Sequence, residues 1–130
     1  MISQNTIIME PKRHAGQGCC EQLEPRLGDS EAKNGAELLK ALADPARLQI
    51  LDVLLQRGGL VCVCDFEGIV GLPDERTGQR PKQPTISHHL RVLRAAGLVD
   101  YQKQGLWAYY FVRRERLEDA QALLGGLLKS

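Results

Sequence analysis

The stretch that most constrains this chain lies at residues 84–112, where a proline-opened helical pattern, PTISHHLRVLRAAG, runs directly into two β-rich segments. Proline suits the first turn of a helix, where its missing N–H would have no partner anyway, and Gly97 is a natural stop. At 100° per residue Ile86, Leu90 and Leu93 share one face. His88 and Arg91 fall nearly opposite, flanked by Thr85, Ser87 and Arg94, while His89 lies closer to the apolar side and reads as a packing residue. Leu98–Lys103 and Leu106–Val112 then read as strands of a hairpin joined through Gln104-Gly105. Such a helix must seat its stripe on other helices, and the tight hairpin leaves few ways to do so.

The rest of the chain supplies those helices. Ser30 reads as the cap of a helix over Glu31–Leu42, with Leu38, Leu39 and Leu42 on its apolar side. Asp44-Pro45 restarts the chain as a capping side chain followed by proline at the first helical position. Leu48, Leu51 and Leu55 form the expected stripe of the next helix, which Gly58-Gly59 ends. A short apolar element from about Asp65 to Val70 closes at Gly71-Leu72-Pro73, and a Pro/Gly/charge loop, PDERTGQRPKQ, spans 73–83. A last helix from about Arg114 places Leu117, Ala120, Leu124, Leu127 and Leu128 along one side. Residues 1–30, with Pro11, Gly16, Gly18, Pro25 and Gly28 and no sustained period, read as a flexible arm carrying Cys19-Cys20. The expected fold is therefore mostly α with a small β-hairpin: a winged helix–turn–helix occupying residues 31–128.

Charge is distributed unevenly. Residues 76–116 hold nine of the 17 Lys and Arg but only two of the 16 Asp and Glu, so a chain of net charge +1 has one strongly basic half. That half presents a field to an anionic partner. A helix carrying hydroxyl, imidazole and guanidinium groups opposite its buried stripe suits the major groove of double-stranded DNA. Arg can read guanine edges, and Ser or Thr can bond phosphates or bases. Thr85, Ser87, His88, Arg91 and Arg94 are the candidate contacts on the helix, with Lys103 and Gln104 at the tip of the wing. The aromatics Tyr101, Trp107, Tyr109 and Tyr110 read mainly as sheet packing. No apolar run reaches the ~18 residues that span a bilayer, and MISQNTIIMEPKRH lacks the marks of a secretory signal, so the expectation is a cytoplasmic protein without a membrane partner. There is no Gly-rich phosphate loop, nucleophile–base pairing or cofactor motif. An enzyme is therefore not expected and no catalytic residue is assigned; a thiol oxidoreductase using Cys19-Cys20 is the rival from another class.

The 4 cysteines fall into two pairs, Cys19-Cys20 and Cys62-Val63-Cys64. In a reducing cytosol they read as metal ligands or reactive thiols before disulfides. Thiolates select soft ions, and no C-x-x-C suggests a zinc ribbon. On a regular helix the i, i+2 spacing would put Cys62 and Cys64 on opposite sides. Both can face one ion only if the chain there is extended or frayed, which Asp65 as an N-cap would allow. A thiol redox switch on the same residues is a second reading.

Taken together, LLKALADPARLQILDVL at 38–54, CVCD at 62–65, PTISHHLRVLRAAGLV at 84–99 and GLWAYYFV at 105–112 resemble the ArsR/SmtB family of metal-responsive winged-helix repressors. The resemblance covers roughly residues 31–128. It implies a homodimer formed by the first and last helices, operator DNA read by the Pro84–Ala96 helix, and CVCD as a metal box beside that helix. Where local arsenic sensors place a third Cys, this chain has Glu67, so the missing thiolate is expected from the arm. Cys19, Cys20, Cys62 and Cys64 are the implied ligands. As(III) or Sb(III) is the favoured inducer, held by three thiolates, and Cd(II) or Pb(II) held by four is the alternative. The family's other zinc site uses His on the last helix, which has none here, and His14 reads as a surface residue. Two positions depart from the pattern: Lys82 stands where a capping Ser is usual, and Leu106 where the wing often carries Arg.

Overall fold

A computed structural model describes residues 22–58 and 61–129, so Cys19, Cys20, His14, Gly59 and most of the arm lie outside the described residues. The elements run α1 (Asp29–Leu42), α2 (Pro45–Arg57), β1 (Val61–Cys62), α3 (Val63–Phe66), α4 (Gln83–Ala95), β2 (Val99–Gln104), β3 (Trp107–Val112) and α5 (Arg114–Leu127). This is the winged helix–turn–helix expected from the sequence, with a third short strand added to the hairpin.

Helix ends follow local chemistry. Asp44 caps α2 as expected: its Oδ1 accepts from the backbone N–H of Ala46 at 2.8 Å and of Arg47 at 3.3 Å. Gly58 closes α2 in the left-handed region, at φ 69°. Ser30 is not the cap of α1. The helix starts two residues earlier than expected, at Asp29 behind Gly28, and Asp29 and Glu31 lie in its first turn, where the helix dipole favours acids.

The α2 stripe also differs from the leucine count. Ala46, Ile50, Leu51 and Leu54 are buried, whereas Leu48 is exposed and Leu55 half-buried. Residues 46, 50, 51 and 54 share one face at 3.6 residues per turn, so Ile50 sets the inward direction and Leu48 falls outside it. On α4 the expected face is the buried one: Ile86, Leu90 and Leu93 join Ile50, Leu54, Phe66 and Leu98 in the core.

The sheet is antiparallel in the order β1-β3-β2. Gln104 pairs with Trp107, so the hairpin turns on Gly105-Leu106, one residue beyond the expected Gln104-Gly105. Gly105, at φ 64°, takes the conformation that a tight turn requires. Lys103 and Gln104 thus end β2 rather than form the tip, which is the almost fully exposed Leu106. At the other end, α5 approaches α1 so closely that a Cβ on Gly35 would lie 2.7 Å from Leu123 Cδ2.

Candidate nucleic-acid interface and thiol pair

Helix α4 is held from behind by a side-chain clamp that sequence reading missed. Arg47 Nε donates to the Ala41 carbonyl at 2.6 Å, and Nη1 lies 3.1 Å from His89 Nδ1. A guanidinium only donates, so Nδ1 must accept, which leaves the proton of a neutral ring on Nε2. Burial is the main cause that pushes the His89 pKa below its ordinary value; Arg47 and His88 add to it and Asp44 opposes it. The end of α1, the start of α2 and the middle of α4 are thereby fixed together. The available signal was an Arg just inside a capped helix, close to the last carbonyls of the helix before it.

With Ile86, Leu90 and Leu93 turned inward, Thr85, His88 and Arg91 are exposed and Ser87 is half-buried. Arg91 makes no ion pair among the described residues. Arg94 has a different setting. Its Nε is 3.3 Å from Asp100 Oδ1, and its guanidinium carbon stands 4.4 Å from the centre of the Tyr101 ring. Arg113 Nη2 donates to the other oxygen of Asp100 at 2.9 Å. That hydrogen bond, with help from the Tyr101 N–H, holds the Asp100 carboxyl below the usual carboxylate range. Arg94 therefore ties α4 to β2, while Lys103 and Gln104 remain exposed near the hairpin end.

The thiol pair has a specific local cause. Cys62 has extended backbone, φ −85° and ψ 156°, and is itself the N-cap of α3. Its sulfur accepts from the Asp65 N–H, while Asp65 Oδ2 accepts from the Cys62 N–H at 3.0 Å. Asp65 is thus the third helical residue rather than the expected cap, and the helix begins at Val63 instead of near Asp65. The backbone at Cys62 is extended, as the geometric condition requires, and the Cys62 side chain is the main cause raising the exposed Cys64 thiol above its ordinary pKa.

The donor chemistry fits a soft ion at two positions. Glu67 ends the short helix and is exposed. No group of three or more Cys, His, Asp or Glu is arranged to hold a metal among the described residues. Any completing thiolates must come from elsewhere. The pair sits on the element that packs against α4, with Phe66 anchoring α3 in the core.

Comparison with known proteins places this geometry. The family model described as bacterial regulatory protein, arsR family, matches residues 81–101. An uncharacterized HTH-type transcriptional regulator of Methanocaldococcus jannaschii is 37% identical over 95 residues, which is 73% of this chain and 96% of the relative. A cadmium resistance transcriptional regulatory protein homolog of Staphylococcus aureus is 36% identical, over 64% of this chain and 60% of that protein. The arsenical resistance operon repressor of Escherichia coli is 42% identical, over 57% and 55%. Among solved structures, the homodimeric winged helix-turn-helix DNA-binding domain of a possible ArsR-family transcriptional regulator from Mycobacterium bovis superposes with a TM-score of 0.53. It is 28% identical, covering 84% of this chain and 88% of the other.

Proposed function

Because this chain belongs to the ArsR family of winged-helix transcriptional regulators, DNA-binding proteins and not enzymes, we propose that it is a homodimeric repressor released from its operator when arsenite or antimonite binds its cysteines. The observation that carries this reading is the extended backbone of Cys62 at the cap of α3, with Cys64 in the first turn beside it. Trivalent arsenic has a lone pair and takes three thiolates in a pyramid, so this site lacks at least one ligand. Cys19 and Cys20 are the chain's other cysteines and supply the remainder. Ligation ties the arm to the element against which α4 rests, within one subunit or across the dimer. Release requires only that the ion favour the low-affinity conformation differentially.

In this reading Thr85, Ser87, His88 and Arg91 face the operator, Lys103 and Gln104 add contacts from the wing, and Arg94 positions the wing against α4. The apolar Leu124 and Leu127 of α5 and Leu128 at its C-cap, exposed in the single chain, form the dimer surface together with α1. No helix among the described residues is long and apolar enough to cross a membrane. Thiolate sensing suits a reducing cytoplasm.

The same two thiols also favour a second reading, in which all four cysteines hold Cd(II) or Pb(II), and the cadmium-resistance relative points the same way. Anaerobic titration of the reduced protein on a fluorescent operator fragment, with arsenite, Cd(II) and Pb(II) in turn, separates the two. Release by arsenite at the lowest ion concentration supports the first and release by the divalent cations the second. Release only after oxidation makes the thiols a redox switch and sinks both.

A further inference from the structure

A helix–turn–helix needs only a few residues between its two helices, yet here the connection from α3 to α4 includes the whole 73–82 loop. That loop is built rather than slack. The Asp74 N–H donates to the Gln79 carbonyl and the Gly78 N–H to the Asp74 carbonyl, each at 2.8 Å. The Asp74 carboxylate turns inward and accepts from the Arg76 and Thr77 N–H groups at 2.8 and 3.0 Å. These bonds hold its pKa below the ordinary value.

The loop is also bolted to the body. Arg80 Nη1 donates to the Gly71 carbonyl at 2.6 Å, the Gly71 N–H donates to Gln49 Oε1 at 2.7 Å, and any side chain at Gly71 would collide with Pro81. Long loops that keep their own structure are commonly functional.

Two of its basic residues, Arg76 and Lys82, make no ion pair among the described residues. Arg76 is exposed on the loop, and Lys82 is the N-cap residue of α4, with a side chain that makes no capping hydrogen bond. A groove of about 410 Å³ lies between the loop and the first turn of α4. Asp74, Thr77, Gln79, Arg80, Lys82 and Thr85 line it, the Asp74 carboxylate being taken up by the Arg76 and Thr77 N–H groups. Thr85 is thus both a wall of this groove and a candidate DNA contact of the helix.

We infer that the 73–82 loop is a second DNA-contacting element, which grips the phosphodiester backbone beside the groove entered by α4, with Arg76 and Lys82 as phosphate contacts and Arg80 as the residue that positions them. The inference rests on the reading that α4 faces DNA. The surface is continuous with that face, and its cations Arg76, Arg80 and Lys82 outnumber its two acids, of which Asp74 is satisfied by loop N–H groups and Glu75 is exposed; that excess of positive charge suits a phosphate chain. Because the loop is already ordered, little conformational freedom is lost when it binds. Phosphate contacts carry no base information, so the loop adds affinity and footprint without adding specificity.

The test measures log K against log salt concentration for Arg76→Ala, Lys82→Ala and the double variant, on the operator and on an unrelated duplex. Arg57→Ala, an exposed basic residue at the end of α2, serves as the bulk-charge control. Each loop variant is expected to lower the slope by about 0.9 and to weaken both duplexes by the same factor, with thermal melting unchanged. A wild-type slope in the double variant, or an equal drop in Arg57→Ala, overturns the inference. Arg91→Ala separates the layers. If it loses operator discrimination while the loop variants keep the wild-type slope, the loop inference falls alone. If it binds the operator normally, the reading of α4 falls and takes the loop with it.

Discussion

Helices α3 and α4 pack against each other but are finished to different degrees. Helix α4 has three fully buried anchors, an Arg47 clamp on His89 and an Arg94–Asp100–Arg113 cluster at its far end, so its outer face is presented by a scaffold complete within one chain. Helix α3 is a single turn with one buried anchor, Phe66, and an N-terminus that gathers two thiols and no third ligand among the described residues. On the proposed function, a rigid reader beside an unfinished binding site is what a switch requires: a ligand would stabilise the incomplete side, and the complete side would transmit the change.

The largest effect should come from damaging the scaffold of α4. Leu90→Ala removes a side chain that is 1% exposed in the core and should lower unfolding free energy by about 2–5 kcal/mol, read by denaturant titration. A loss under about 1 kcal/mol would mean that α4 is not the packed element described. Next is the outer face. Arg91→Ala should weaken operator binding by about 1–3 kcal/mol if Arg91 reads a base, with unchanged melting. A weaker and slower effect belongs to pH. The depressed pKa values of His89 and Asp100 mean that the unfolded chain binds protons first as pH falls. Stability should therefore hold above the ordinary His value, decline from about pH 6.5 downward as His89 protonates, and decline again below about pH 4 as Asp100 does. Asp100→Asn should shrink the second decline, to which Asp74 also contributes, and leave the first unchanged, visible in melting temperature across a pH series.

On α3 the smallest change is expected. Cys62→Ser exchanges a thiol cap for the hydroxyl that helix termini ordinarily use, so melting should shift by no more than about 0.5 kcal/mol in stability. Any larger loss would make Cys62 a structural residue rather than one kept for its sulfur.

What the chain disclosed in advance follows the range of the forces involved. The inward face of α4, the Asp44-Pro45 start and the Gly97 stop are set by neighbours a turn away, and each stands where the spacing placed it. Non-local choices were hidden. β1 is two residues long and exists only because β3 pairs with it. Ile50 and not Leu48 faces the core because of how α2 meets α4 and the sheet. The α3 start was misplaced because Asp is a common cap and Cys a rare one. Arg94 is drawn toward Asp100, whose place beside it comes from the chain reversal after Gly97. At the site, the exposed trio Thr85, His88 and Arg91 was legible in the spacing; the extended backbone at Cys62 was legible only as a condition, and the Arg47 clamp was not legible.

The central claim is that thiols from the arm complete the site at α3. It is tested most directly by operator release in a Cys19→Ser/Cys20→Ser double variant, titrated with arsenite in anaerobic, reducing buffer beside the wild-type protein. The account predicts that this variant binds the operator as tightly as wild type and stays bound at arsenite concentrations that release the wild type. A full arsenite response in the double variant would contradict it and move sensing to Cys62 and Cys64 alone.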